Sequence, residues 1–319
     1  MSQYFLLQKI VDAEKAKANL ENRSIDTDLV TKKFQEVIND RFNNEDFCNL
    51  LACSGFIPDL YPSDSSEETL YTKLIEVMVY IWATRMGFKS HYIKEKASYE
   101  DVNIVIADKT IVCDAKSFRL GRSQAAPNVK DFLKLEDIRK WRSRYKNGLG
   151  GLVIYPDTHD WTKGSDAYLY CTIKDCPTVM LSYIYLAVIL HYKSRFKSNM
   201  LIQLWNYECL FPLPLEKKME GGNRTPYWQK INDTLERILN ISAQELNVRI
   251  HKYKEIQQCC IKEILERLNL KRNEIVTHIN SECNQMDEKV VREELASYKI
   301  KKETEELDNF IDRIKKFRL

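Results

Sequence analysis

The chain has 319 residues, with 49 Lys or Arg against 46 Asp or Glu and a net charge of +3. A hydrophobic content of 44% beside 30% charged residues excludes a disordered chain, and the longest apolar stretch, residues 179–190, is too short to cross a bilayer. Nine scattered cysteines, with no CxxC pair and no histidine at zinc spacing, exclude a zinc finger and read as reduced thiols.

In chain order, residues 3–52 alternate apolar and charged residues at helical spacing and predict two or three helices. The proline- and serine-rich stretch 54–69 is a loop, in which Ser65 or Ser66 caps a helix with acids in its first turn. That helix carries apolar residues at 70, 71, 74, 75, 78, 81 and 82, and Gly87 ends it. From 91 to 116 the pattern becomes that of strands: "DVNIVIAD" and "TIVCDAK" predict a strand pair joined through "DKT". Residues 128–146 return to helical spacing. "GLGGLVIYP" reads as a loop then a buried strand, and "AYLYCTI" and "PTVML" as two further strands. Ser182 can cap the helix "YIYLAVILHYKSRF".

Beyond 215 only helices are expected, the longest starting at the capping box "SAQE", 242–245, with Leu246, Ile250, Tyr253, Ile264 and Leu268 on one side. The reading is therefore an α/β or α+β chain, a mixed sheet flanked by helices. It divides into a core with N-terminal helices over 1–215 and a helical region over 216–319, packed together as one unit. The N-terminus lacks a basic start and a small-residue cleavage site, so no secretory signal is expected.

The chemistry gathers at "IVCDAKSFRLGR", 111–122. On a strand, residues i and i+2 share a face, about 6.6 Å apart, so Asp114 and Lys116 emerge together. If the strand pair is a hairpin, Asp101 meets Asp114 at the same sheet edge. Close carboxylates repel unless a cation neutralises them, and hard oxygen donors suit Mg2+ with phosphate oxygens and water. An acid-x-Lys triplet alone carries little, since it recurs at Glu216–Lys218 and Asp287–Lys289, but only at Asp114 does it follow an apolar strand and a second acid. The blander alternative is a strand-end salt bridge between Asp114 and an arginine. Behind the triplet, residues 116–146 hold ten Lys or Arg against three Asp or Glu, the local positive charge that a polyanion-binding face needs. Arg119 and Arg122 are suited to bidentate contact with guanine or phosphate. Ser123, Gln124 and Asn128 either read bases or cap a helix, and Arg139, Lys140 and Arg142 are phosphate-contact candidates. Trp141 reads as core. Gly148, Gly150 and Gly151 lack the following Lys-Ser or Lys-Thr of a phosphate loop.

Asp101, then twelve residues, then Asp114-Ala115-Lys116 resembles the PD-(D/E)xK nuclease signature. More narrowly, "DAKSFRLGR" with "KDF" and "KWR" after it, "IPDLYPSDSSEETLYTKL" upstream, and "TVMLSYIYLAVIL" and "QLWN" downstream resembles the HindIII family of type II restriction endonucleases over about residues 50–210. The resemblance implies a restriction-endonuclease-like core in a prokaryotic, cytoplasmic homodimer. It implies Mg2+-dependent cleavage of duplex DNA at the palindrome AAGCTT with 5′ overhangs, and a cognate DNA methyltransferase that protects the host. Carried over residue by residue, Asp101 and Asp114 are metal ligands, Lys116 is the catalytic lysine and Asp131 is a further acid. The family's glutamate before the first aspartate falls at Lys94, with Glu95 one residue away, and the loop "GRSQAAPN" is longer than expected. Two rivals remain: a repair or recombination nuclease on the same core, and a DNA-binding protein with an inactive core. A scaffold built on the helical tail leaves the basic segment unexplained. The amphipathic helices before 86 and after 242 are the dimer candidates.

Overall fold

The computed structural model describes residues 4–93, 99–120, 134–157, 174–210, 225–284 and 289–316. Its centre is a mixed five-stranded sheet: β2 (Lys89–Tyr92), β3 (Val102–Ile106), β4 (Lys109–Ala115), β6 (Gly148–Tyr155) and β7 (Thr178–Ser182), in that spatial order. The β2–β3–β4 part is antiparallel and the β4–β6–β7 part parallel. A second, two-stranded parallel pair joins β1 (Phe56–Ile57) to β5 (Phe118–Arg119). With helices around the sheet and a helical C-terminal region, the fold is α+β with a nuclease-like core.

The β3–β4 hairpin decides where the acids go. Ile106 pairs with Lys109, so Ala107 and Asp108 alone form the turn, with φ of 48° and 63°. Two consecutive positive φ angles give the tight turn whose twist matches the strands. The turn thus begins one residue earlier than "DKT", and Lys109 and Thr110 belong to the strand.

Among the described residues, three helices fill the N-terminal segment: α1 (Tyr4–Leu20), α2 (Thr27–Arg41) and α3 (Asn44–Ala52). Helix α4 (Ser66–Met86) starts at Ser65, whose side chain accepts from Glu68 N, and ends at Gly87 in the left-handed region, φ 85°. The expected apolar positions of α4 are buried, but so are Glu76, Val77, Val79, Ala83 and Met86. This helix is buried almost all round, because α1, α2, the sheet and α6 (Tyr183–His191) surround it. Trp82 Nε1 donates to Leu186 O at 2.9 Å and ties α4 to α6.

The basic stretch is helical as α5 (Leu135–Ser143), with Leu135, Ile138 and Trp141 buried. "GLGG" is strand rather than loop, since β6 begins at Gly148 itself. Glycine is needed there: a Cβ on Gly151 would lie 2.6 Å from Ile138 Cγ2, so α5 packs closer to the sheet than a larger residue allows. The strand expected at 167–173 lies outside the described residues. Ser182 occupies the N-cap of α6 without capping it; its Oγ donates to Asp157 Oδ1 at 2.8 Å instead. Helix α6 stops at His191, short of the expected "KSRF", where a 3-10 turn takes over. A second 3-10 segment spans Ser198–Trp205, and a short α7 covers Tyr207–Leu210.

No strand occurs beyond residue 215 among the described residues. Helix α8 (Thr225–Leu239) is pinned to β7 by Tyr227, whose hydroxyl donates to Met180 O and accepts from Met180 N. Helix α9 (Ala243–Cys283) opens with a complete Ser242–Glu245 capping box. Its 41 residues extend about 60 Å. The first half packs on α3 and α6, with Leu246, Tyr253, Gln257 and Ile261 buried. Gln257 Nε2 donates to Ala52 O at 3.0 Å. The second half pairs with α10 (Lys289–Lys315), which returns Leu307, Ile311 and Ile314 to the same core as the sheet.

The capping box predicts a measurable loss. Ser242→Ala removes the acceptor for Glu245 N and one half of a reciprocal pair, so urea unfolding should show the variant destabilised by about 1 kcal/mol. An unchanged midpoint would mean that the start of α9 is held by its tertiary contacts alone.

Candidate active site

Asp114 and Lys116 lie at the C-terminal end of β4, in the interior of the sheet. Asp114 is 6% exposed, and its Oδ2 lies 2.7 Å from Lys116 Nζ. The alternative of a strand-end bridge to an arginine does not hold, because the partner is the lysine two residues on. The backbone of Lys116 is held on both sides: its N donates to Ile154 O at 2.7 Å, and its carbonyl accepts the Tyr183 hydroxyl at 3.0 Å.

Asp101 arrives from the neighbouring strand as the hairpin requires. Its N donates to Cys113 O at 3.1 Å, one step beyond the Val102–Cys113 pair, and its Oδ2 accepts Ala115 N at 2.8 Å. The carboxylate of one strand thus grips the backbone between the acid and the lysine of the other. On the outer side, Ile93 N donates to Asp101 O at 3.0 Å.

A third acid, Glu76 of α4, joins them and was not foreseen from the sequence. It is 7% exposed, and its Oε2 lies 2.6 Å from Lys73 Nζ, one turn earlier. The sequence does carry a signal: Glu76, with Lys73 just ahead, interrupts "LIEVMVYIWA", 74–83, a stretch otherwise too apolar for one buried face. Burial raises the Asp101 pKa well above the ordinary carboxylate value, and the charges of Glu76 and Asp114 raise it further against the Ala115 N–H and Lys73. Burial also raises Glu76, with Lys73 opposing and Asp114 adding to the rise. The charges of the three carboxylates thus act on one another at this end of the sheet, and Lys73 and Lys116 each pair with one of them.

This donor set suits a hard divalent cation. All three acids offer oxygen, and their mutual repulsion is what a bound cation relieves. In the arrangement described, Asp101 is engaged with Ala115, Asp114 with Lys116 and Glu76 with Lys73. Among the described residues no three acidic, histidine or cysteine side chains converge as a ready-made ligand group.

The other expected site residues divide into three groups. Glu95, Arg122, Ser123, Gln124, Asn128 and Asp131 lie outside the described residues. Arg119 turns inward: it is 5% exposed, its Nη2 lies 3.0 Å from Glu68 Oε1, and its Nη1 donates to Pro58 O at 3.0 Å. Its guanidinium fastens β5 to Pro58 in the preceding loop and to Glu68 in the first turn of α4 rather than facing a ligand, because the β1–β5 pairing carries it into the core. On α5, Arg139 bonds to Glu136 and Asp175, and Arg142 donates to the Asp175 carbonyl, while Lys140 is exposed. Trp141 is core, as expected. Just past α5, Arg144 stacks on Tyr99 at 4.0 Å, and Tyr145 donates to the fully buried carboxylate of Glu100. These contacts bind the end of the basic helix to the residues immediately before Asp101.

The raised Asp101 pKa sets a pH dependence for the metal-free protein. A carboxyl with a raised folded pKa contributes stability that is complete below the ordinary value of 3.8 and is lost as pH rises through the folded value. Asp101→Asn keeps an oxygen acceptor for Ala115 N and removes the charge. In metal-free buffer its Tm should exceed that of the parent by a margin that widens from pH 4 upward. A constant margin would show that Asp101 ionises without penalty.

A family model described as HindIII restriction endonuclease matches residues 13–302 of the 319. The match runs well past the motif-bearing stretch at 50–210 and takes in the N-terminal helices and most of the α9–α10 pair. No curated protein matches the chain. No described helix is long and apolar enough to cross a membrane. With the acids and lysine of the nuclease signature gathered at one end of the sheet and the match spanning nearly the whole length, the chain belongs to the HindIII restriction endonuclease family, and is thereby a DNA-binding nuclease.

Proposed function

We propose that this protein is a Mg2+-dependent, homodimeric type II endonuclease that cuts duplex DNA at the palindrome AAGCTT and leaves 5′ overhangs. The observation that carries the reading is the buried constellation at the end of β4: Asp114 against Lys116, and Asp101 locked to the intervening Ala115. Asp101 and Asp114 would hold the ion, with Glu76 beside them as a third oxygen donor. Bound there, a divalent ion polarises a phosphodiester and lowers the pKa of a water.

The remaining work falls to the chain itself. Lys116 has its backbone fixed by Ile154 and Tyr183 and its ammonium held against Asp114 Oδ2 at 2.7 Å. It orients the attacking water and stabilises charge gathering on the phosphoryl oxygens. Water attacks phosphorus in line, the P–O3′ bond breaks, and the products carry 5′-phosphate and 3′-hydroxyl ends. Exposed Lys140 and Lys146, with Arg144 nearby, supply positive charge for phosphate contacts that position the duplex. A palindrome demands a two-fold protein, because each site cuts one strand. A cognate methyltransferase acting on the same site would protect host DNA.

A plasmid digest with Mg2+ and sequenced ends tests the whole reading. The parent should give discrete fragments with ends inside AAGCTT. Lys116→Ala should lower the single-turnover rate by about 100-fold or more while DNA binding persists, and Asp114→Ala should abolish cutting. Tight binding with no cleavage by the parent would turn the reading to a DNA-binding protein with an inactive core. Cleavage without discrete fragments would turn it to a repair-type nuclease.

A further inference from the structure

Lys73, the α4 partner of Glu76, is left over by the mechanism above. Both side chains are inside, 13% and 9% exposed, at 2.6 Å. Lysine is rarely buried unless paired, and this one sits in a helix that packs all round. The pair lies against the strands that deliver Asp101. Lys73 Nζ is 5.9 Å from the Tyr92 ring centroid, Tyr92 pairs with Val102, and Ile93 N bonds to Asp101 O.

Charge counting sharpens the question. With all three acids ionised, the state a bound cation favours, Glu76, Asp101 and Asp114 contribute three negative charges, and Lys73 and Lys116 two positive ones. A divalent cation brings two more, which overcompensates the site if both ammonium groups stay. Lys116 is held by its backbone contacts and by its pairing with Asp114, two residues away on the same strand end. Lys73 reaches Glu76 along a flexible four-carbon stem from the same helix, so its ammonium can move several ångströms without any backbone change.

We propose that Lys73 is a built-in counter-cation of the active site, which holds the Glu76 carboxylate while no divalent ion is bound and yields it when one binds. This rests on the metal-dependent reading above. Lys73 competes with the ion for the same oxygens, so the apparent metal affinity is reduced by the fraction of time the pair is closed. Lys73 is a positioning residue in this scheme; it does not touch the reacting phosphate.

The test is calorimetric titration of Mn2+, and separately Mg2+, into the full-length metal-free protein without DNA. Lys73→Met keeps the stem and removes the charge, and it should bind metal about tenfold more tightly than the parent. Lys73→Arg, whose planar fork grips a carboxylate with two bonds, should bind metal several-fold more weakly. In a Glu76→Gln background the Lys73→Met change should have no effect, which a merely structural lysine would not predict. If Lys73→Met does not fold, the direction of the Lys73→Arg shift decides. Metal binding by the parent that Lys73→Met leaves unchanged or weakens, or that Lys73→Arg leaves unchanged or strengthens, overturns the proposal and leaves the metal-dependent reading standing. A parent that binds no metal, like an Asp114→Asn control, overturns both.

Discussion

The hydrogen bond from Ala115 N to Asp101 Oδ2 closes the open end of the β3–β4 hairpin, and the site depends on it. It brings a carboxylate from one strand onto the peptide between the acid and the lysine of the next. A shift of one residue in that pairing would send either Asp101 or the Asp114–Lys116 set to the opposite face. The two-residue turn at Ala107–Asp108 is what sets the register. Both residues accept the left-handed region, at some strain, because the ladder on either side over-determines them.

That closure has an electrostatic consequence. It packs like charges into a buried volume, and the surrounding structure answers with lysines placed at hydrogen-bond distance from two of the three acids. Such a cluster is poor material for stability, since ion pairs taken out of water recover little of their desolvation cost. It is good material for binding a cation and holding a phosphate. The rest of the fold is built to support it: α4 is buried over most of its surface and carries Glu76 in, Tyr183 at the start of α6 holds Lys116, and Arg119 ties the chain beyond Lys116 to Glu68 and Pro58.

The C-terminal helices make specific contacts with the N-terminal helices and the core. Helix α9 reaches back to α3 through Gln257 and the Lys252–Glu45 pair, and α10 returns Leu307, Ile311 and Ile314 to the common core. Between residues 269 and 303 the α9–α10 pair buries, among the described residues, little apolar surface apart from Ile279, and Leu270 and Tyr298 stand exposed.

Much of this was legible in the residues. Local rules placed α4 between Ser65 and Gly87 and α9 after its capping box, because caps and left-handed glycines act within one turn of chain. Short β-branched runs identified β3 and β4, and the intrinsic two-residue period of a strand put Asp114 and Lys116 on one face. The hairpin then brought in Asp101. Three features needed the folded chain. Glu76 reaches the site across a helix–sheet contact that no spacing encodes. Arg119 looked like a ligand contact and became a core anchor, because the β1–β5 pairing, between segments some sixty residues apart, turns it inward. Gly148 looked like loop and is strand, because close packing of α5 at Gly151, not flexibility, is what calls for small residues there. Sequence determines what is local in period and cap; pairing between distant segments decides which charges share a cavity, because burial and distance, not residue type, set their energies.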